Sequence, residues 1–283
     1  MSLLRYTLIA FTLLSISTQA AEAPEPAATY PAETKTITSK VLQEDREVII
    51  QLPVNYHEYT DRHYPVLYLL DGDTNVSLIH SLLGRRAKSG EAPEFIIVGI
   101  KNTDRLRDLA PTVNHDPRGP VGKGGGGDKF LNYLEHELMP YINKQYRTHD
   151  YKVLSGHSLG GLLVLHALQS RPNLFQAHLA YSPAVWWGDR TTAKNVKAFM
   201  KNTKQFNNFL YMNIGSEGGE MREVYDDLQQ SISQNTPDGL RFHVDAFNDI
   251  THDLTSSAGA FNAWHHLLWP RRMPKEAFKN DVA

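Results

Sequence analysis

With 283 residues, 41% of them hydrophobic, the sequence has material for one large α/β domain or two small ones, and a single domain is the simpler expectation. Its 29 lysines and arginines against 31 acidic residues leave a formal net charge of -2, which offers no electrostatic attraction to nucleic acid or to an anionic membrane. The absence of cysteine excludes disulfides, a thiolate nucleophile and cysteine-ligated zinc, and is compatible with an oxidising compartment without requiring one.

At the N-terminus, Arg5 precedes an apolar run from Tyr6 to Ile16, and Ser17-Thr18-Gln19-Ala20 supplies a small-residue cleavage site. The run is shorter than the roughly 20 residues a spanning helix needs. Residues 1–20 therefore read as a signal peptide removed after Ala20, with a periplasmic or secreted product and no stable membrane insertion after cleavage. Residues 21–33, rich in Ala, Glu and Pro, read as a flexible lead-in, and residues 34–283 as the folded domain.

The domain opens on two β-prone runs, Thr36 to Leu42 and Arg46 to Leu52, separated by the turn-like Gln43-Glu44-Asp45. After a polar loop, Pro65 to Leu70 is a continuous apolar run ending in Asp71-Gly72-Asp73, and Phe95 to Ile100 is another. All-apolar strands are expected where both faces of a sheet are covered, so these predict a parallel sheet between helices. Helical spacing of Phe130, Leu131, Leu134, Leu138, Tyr141 and Ile142 predicts a helix over 128–145, leading to a strand at 151–154 and an apolar helix from Leu159 to Leu168. Ala177 to Tyr181 and Phe209 to Ile214 read as strands, and Met221, Val224, Tyr225, Leu228 and Ile232 share one face of the helix that follows. Leu240 to Phe247 is the last strand and Ala258 to Leu268 the last helix. The order predicts a mostly parallel, doubly wound sheet with an N-terminal antiparallel hairpin and functional residues in the loops after strands. Gly122-Lys123-Gly124-Gly125-Gly126-Gly127 lacks the ending of a phosphate loop and reads as a flexible loop.

Gly156-His157-Ser158-Leu159-Gly160 fits G-x-S-x-G, a weak signal as a string. Its setting strengthens it, because a strand runs into it and a helix leaves it, as a nucleophile elbow requires. A serine hydroxyl needs a base, and the base an acid to orient it. His252, in the loop after the last strand, is placed for the base. His157 is the variable position of the elbow, His243 lies inside a strand, and His265 and His266 sit in the terminal helix. The strand Phe209 to Ile214 ends in Gly215-Ser216-Glu217-Gly218-Gly219-Glu220, which makes Glu217 the expected acid, with Glu220 and Asp249 as rivals. The backbone N–H of Leu159 is one expected oxyanion donor, and that of Asp73 the second. The 13 histidines show no H-x-x-x-H or H-E-x-x-H spacing, and neither a metal nor a cofactor is expected.

Together these residues resemble the "putative esterase" family of α/β hydrolases, which includes S-formylglutathione hydrolases, siderophore trilactone esterases, feruloyl esterases and mycobacterial mycolyltransferases. The likeness covers roughly residues 36 to 270 and is anchored by Leu69-Leu70-Asp71-Gly72, Asn102-Thr103-Asp104-Arg105, Arg107 to Thr112, Gly156 to Gly161 and Ser182-Pro183-Ala184-Val185-Trp186-Trp187. It implies the α/β-hydrolase fold and hydrolysis of a small-molecule carboxylic ester through an acyl-enzyme, and it looks closest to exported bacterial esterases near the siderophore trilactone group. Trp186 and Trp187 are then candidates for the pocket wall. Arg107, with Arg85, Arg86, Lys88 and Arg105, is a candidate contact for an anionic substrate. The competing readings are an acyltransferase on the same triad and a non-catalytic periplasmic ligand-binding protein; oligomeric state is left open.

Overall fold

The computed structural model describes residues 31–117 and 119–269. The signal-peptide segment, most of the lead-in and the chain beyond Trp269 lie outside the described residues. Among the described residues eight strands form one sheet: β1 (Glu33–Ser39), β2 (Glu44–Gln51), β3 (Tyr64–Leu70), β4 (Ile96–Ile100), β5 (Thr148–His157), β6 (Ala177–Tyr181), β7 (Gln205–Ile214) and β8 (Asp238–Ala246). Their spatial order is β1-β2-β4-β3-β5-β6-β7-β8. The β1/β2 and β2/β4 pairs are antiparallel and all later pairs parallel. The mostly parallel, doubly wound sheet expected from the alternation of elements is the one observed, with the antiparallel hairpin at its start, and it is the α/β-hydrolase architecture that the family resemblance implies.

Side chains along β3 alternate between two cores, as a strand covered on both faces requires. Val66, Tyr68 and Leu70 face a core shared with helix α3 (Gly127–Tyr133), α5 (Leu159–Ser170) and α7 (Gly219–Gln234). Leu67 and Leu69 face the opposite core, closed by α1 (Gly72–Lys88) and α8 (Thr255–Leu268) through Val76, Ile79, Leu83, Trp264 and Leu267. Two short helices, α2 (Arg105–Leu109) and α4 (Met139–Gln145), and α6 (Trp187–Asn202) complete the set. Among the described residues no helix is long and apolar enough to cross a membrane.

The hairpin is displaced from its expected position. β1 ends at Ser39, and Glu44 and Asp45, expected in the turn, pair with Ser39 and Thr38 inside the ladder. The reason is a side chain about a hundred positions away in sequence. Glu137 accepts hydrogen bonds from Ser39 Oγ, Lys40 N and Val41 N at 2.5, 2.9 and 3.0 Å, which fixes the turn over Lys40–Gln43. Glu137 itself sits in a π-helical turn, Leu134–Leu138, that interrupts the helix expected over 128–145.

The glycine-rich stretch is pinned rather than flexible. Val113 and Gly124 form an antiparallel bridge, and Asn114 N–H donates to Lys123 O at 2.8 Å. A Cβ at Gly126 would lie 2.6 Å from Arg107 O and one at Gly127 2.8 Å from Pro111 Cα, so close backbone approach requires glycine at both.

Candidate active site

β5 delivers Ser158 to the sheet edge in a strained conformation, φ 59° and ψ -114°, and α5 starts at the next residue. Such a backbone costs a non-glycine residue of order 1–3 kcal/mol and persists only where its surroundings dictate it. Here the N–H of Ser158 donates to Tyr181 O at 2.9 Å, and its carbonyl accepts from Leu162 and Ala184 at 2.9 and 3.0 Å. The turn is tight at one glycine in particular: a Cβ on Gly156 would lie 2.5 Å from Gly160 C. A Cβ on Gly160, however, would make only ordinary contacts, the nearest with Asp71 Oδ2 at 3.4 Å. The second crowded position is Gly161, 3.0 Å from Tyr181 O and Pro183 Cα.

Leu159 opens α5, where first-turn amides lack intrahelical partners. Asp73 occupies the first turn of α1, its side chain exposed. The preceding Asp71 adopts a left-handed conformation, φ 54°, and its carboxylate accepts Asn102 Nδ2 at 2.6 Å and Arg105 Nε and Nη2 at 2.7 and 3.0 Å. Arg105 also donates to His157 O at 3.2 Å. The guanidinium thus clamps the start of α1 to the residue before Ser158, which brings the two sets of free amides to the same edge. Arg105, which the sequence offers both in the Asn102-Thr103-Asp104-Arg105 anchor and as a contact for an anionic substrate, is thus engaged in positioning the elbow.

His252 follows β8 at the start of a single 3₁₀ turn, His252–Leu254. It donates Nδ1–H to Glu217 Oε1 at 2.7 Å, which leaves Nε2 as the basic ring nitrogen. Its carbonyl accepts from His157 Nε2 at 2.8 Å and Thr255 Oγ1 at 2.9 Å, and the rings of His157 and His252 lie 4.6 Å apart. The imidazole is thereby held beside the elbow through the elbow's variable position. Burial, and secondarily the neighbouring His252, push the pKa of His157 down, so it serves as a neutral donor.

Three carboxylates competed for the imidazole on sequence grounds, and the structure brings one to it. Glu220 is paired with Arg190, Oε1 accepting Nη2 at 2.6 Å and Nε at 3.0 Å. Asp249 is exposed. Burial alone would raise the Glu217 pKa, but the neighbouring Ser182 hydroxyl and the hydrogen bond from His252 outweigh it and hold the carboxyl below its ordinary range. The loops of acid and base are tied together: Ser216 N–H donates to Ile250 O at 2.7 Å, and Arg222 caps the carbonyls of Gly215 and Glu217.

Other expected contacts fall elsewhere. Arg107 is committed to Glu44, at 2.6 and 3.0 Å, and to Asp108, at 2.7 Å, and it belongs to a network around the fully buried Arg46. Its expected role as a substrate contact is corrected to a structural one. Trp187 is buried and donates Nε1–H to Thr112 O at 2.8 Å, which makes it packing rather than pocket wall; Trp186 stays half-buried beside the Gly119 loop. Arg85, Arg86 and Lys88 lie in the last turn of α1, about 20 Å along the helix from Asp73 at a rise of ~1.5 Å per residue. Of the five basic candidates only Arg105 lines the cleft beside the elbow, a space of about 470 Å³ also bordered by Asp71, Asp73, Asn102, His157 and Asp253.

A family model described as "Putative esterase" matches residues 39–274. The chain belongs to this esterase family. It is similar over 84% of its length to a solved IroE-like serine hydrolase from Shewanella oneidensis, covering 80% of that chain at 30% identity and a TM-score of 0.79. Among curated proteins it is 32% identical over 177 residues to the ferri-bacillibactin esterase BesA of Bacillus subtilis, covering 56% of this chain and 61% of the relative. It is 34% identical over 152 residues to the siderophore triacetylfusarinine C esterase of Aspergillus fumigatus, covering 50% of this chain and 51% of the relative. The matches thus span between half and two thirds of these curated relatives.

Proposed function

We propose that the chain is an exported serine carboxylesterase acting on a small-molecule ester of the siderophore lactone type. In this reading Ser158 Oγ attacks the ester carbonyl as His252 Nε2 takes its proton, and the same proton is delivered to the departing alkoxide. Water, deprotonated by His252, then attacks the acyl-serine and releases the acid. Glu217 orients the imidazole and stabilises its protonated form. The amides of Leu159 and Asp73 receive the developing oxyanion.

The observation that carries this reading is an imidazole–carboxylate pair drawn from two separate loops and held, through His157, against the residue before a strained serine. Support for the substrate class comes from the relatives, two of which are named for siderophore esters. It does not come from charge, because the cleft carries one arginine already paired with Asp71. Export rests on the N-terminal pattern, and N-terminal sequencing of the secreted or periplasmic protein should begin at Ala21.

The test is labelling by a fluorophosphonate combined with hydrolysis of p-nitrophenyl esters of increasing chain length and of a catecholate trilactone. Wild type should be labelled at Ser158 and turn over at least one of these esters. Ser158→Ala should lower kcat by roughly four to six orders of magnitude with the fold intact. Retention of more than about a tenth of the activity would sink the mechanism.

A further inference from the structure

Ser182, the residue after β6, has no place in the mechanism above, yet its position is costly. It is fully buried with φ 38°, a region where glycine is at ease and a side chain is strained. Its backbone is held there by Asn213, whose main-chain O and side-chain Oδ1 both accept the Ser182 N–H at 3.0 Å. The side chain must contribute something a glycine would lack.

Among the described residues, Ser182 Oγ and Glu217 Oε2 are buried with no partner at ordinary hydrogen-bonding distance. Buried orphans of this kind are rare, because an unmet hydrogen bond away from water is destabilising. β6 and β7 are parallel neighbours with Tyr181 opposite Asn213, so the next residue on one strand and the acid loop on the other emerge side by side. Glu217 folds back over Gly215, where a Cβ would lie 2.9 Å from Oε2, and this turns the second carboxylate oxygen toward the strand ends. After the opposing effect of burial, the nearness of the Ser182 hydroxyl is among the causes that lower the carboxyl's pKa.

We propose that Ser182 is a positioning residue for the Glu217 carboxylate, donating its hydroxyl hydrogen to Oε2 while His252 donates to Oε1. The inference rests on the triad reading above. With both oxygens held, the carboxylate cannot rotate away from the imidazole, and part of its buried charge is neutralised. Without the hydroxyl the carboxylate becomes more basic and less oriented. The imidazolium is then stabilised before reaction, which raises the pH at which His252 loses its proton. Tyr225 on α7 is the competing donor, since its hydroxyl is also buried without a partner and senses the Glu217 charge.

The test compares Ser182→Gly, Ser182→Ala and Tyr225→Phe with wild type and Ser158→Ala, using p-nitrophenyl acetate hydrolysis and the pH dependence of fluorophosphonate labelling. The glycine variant removes the hydroxyl while relieving the backbone, so a fall in its rate is not a folding defect; melting curves check this. Both Ser182 variants should lower kcat about ten- to hundred-fold, the size expected for a hydrogen bond to a charged group. KM should stay within about two-fold and the acid limb of kcat/KM should move to higher pH, as expected for an effect confined to the orienting acid. The proposal is overturned if Ser182→Gly keeps more than about half the wild-type kcat with an unmoved acid limb, or if Tyr225→Phe alone reproduces the effect. If wild type is neither labelled at Ser158 nor active, the triad reading itself fails, and that outcome is separate from either of the others.

Discussion

Glu217 in the loop after β7 and Glu220 three residues on, in the first turn of α7, carry the same charge, yet their surroundings differ. One is bonded to His252 and the other to Arg190 across to α6. Glu217→Gln should therefore lower kcat by roughly 10²- to 10⁴-fold with little change in KM, as expected when the acid that orients a catalytic imidazole is lost. Glu220→Gln should leave kcat within about two-fold and cost at most about 1 kcal/mol, since its ion pair is partly exposed and helix-end charges are worth little more. Steady-state kinetics on the two variants decides the matter, and a crippled Glu220→Gln beside a mild Glu217→Gln would reverse the assignment. His157 earns a larger role than its variable place in the motif suggests, because its ring holds the carbonyl of His252. His157→Ala should lower kcat about ten-fold, between a bystander and a triad member, as expected for loss of a single supporting hydrogen bond. In wild type, kcat/KM should fall on the acid side, because the base must be neutral to take the serine proton.

At the scale of elements, the site is assembled by pairing one loop with another. The loop after β7 and the loop after β8 are joined by Ser216 N–H donating to Ile250 O, and Gly215 lies where they touch: a Cβ there would sit 2.3 Å from Ile250 O. Gly215→Ala should force the loops apart, costing about 1–3 kcal/mol of stability by overpacking. Because the acid and base ride on these loops, its kcat should drop while KM is little changed. Urea unfolding and kinetics on the same preparation test both halves, and an alanine variant of wild-type rate would show that the spacing is not needed. The start of α1 is positioned in a related way, by Arg105 bridging Asp71 and His157 O. Hydrophobic patterning placed most strands correctly but missed α1 and α6. α1 buries Val76, Ile79 and Leu83 together with Arg86, a residue that polarity alone assigns to the surface. In α6 the first turn runs through three left-handed residues, Gly188, Asp189 and Arg190, which no helical pattern anticipates.

Across the whole molecule, the antiparallel edge is locked to α2 by charge. Glu44 on β2 takes hydrogen bonds from Arg107 and Arg46, and Arg46 reaches the buried Asp108 at 2.6 Å. The Arg107 hydrogen bonds, offset by some burial and reinforced by Arg46, bring the Glu44 pKa from the ordinary 4.5 to about 2. A carboxylate depressed on folding contributes its stability in full above the unfolded value and loses it as pH falls toward the folded one. The difference in unfolding free energy between wild type and Glu44→Gln should therefore be constant above about pH 5 and shrink steadily between 4.5 and 2. Urea titrations across that range measure it, and a gap that does not change with pH would exclude the network as a source of acid sensitivity.

What the sequence determined by itself is local: apolar runs that must be strands, a glycine-flanked serine between strand and helix, and an acidic loop and a histidine loop each following a strand. These signals are carried by neighbours within a few residues, where backbone sterics and side-chain periodicity act directly. The tertiary structure decided every question of partnership. Glu217 meets His252 across 35 positions, Arg107 meets Glu44 across 63, and the hairpin register answers to Glu137 across 98. Short spacing offers several equivalent carboxylates or arginines, and only the packed sheet brings one of each within the roughly 3 Å over which a hydrogen bond forms.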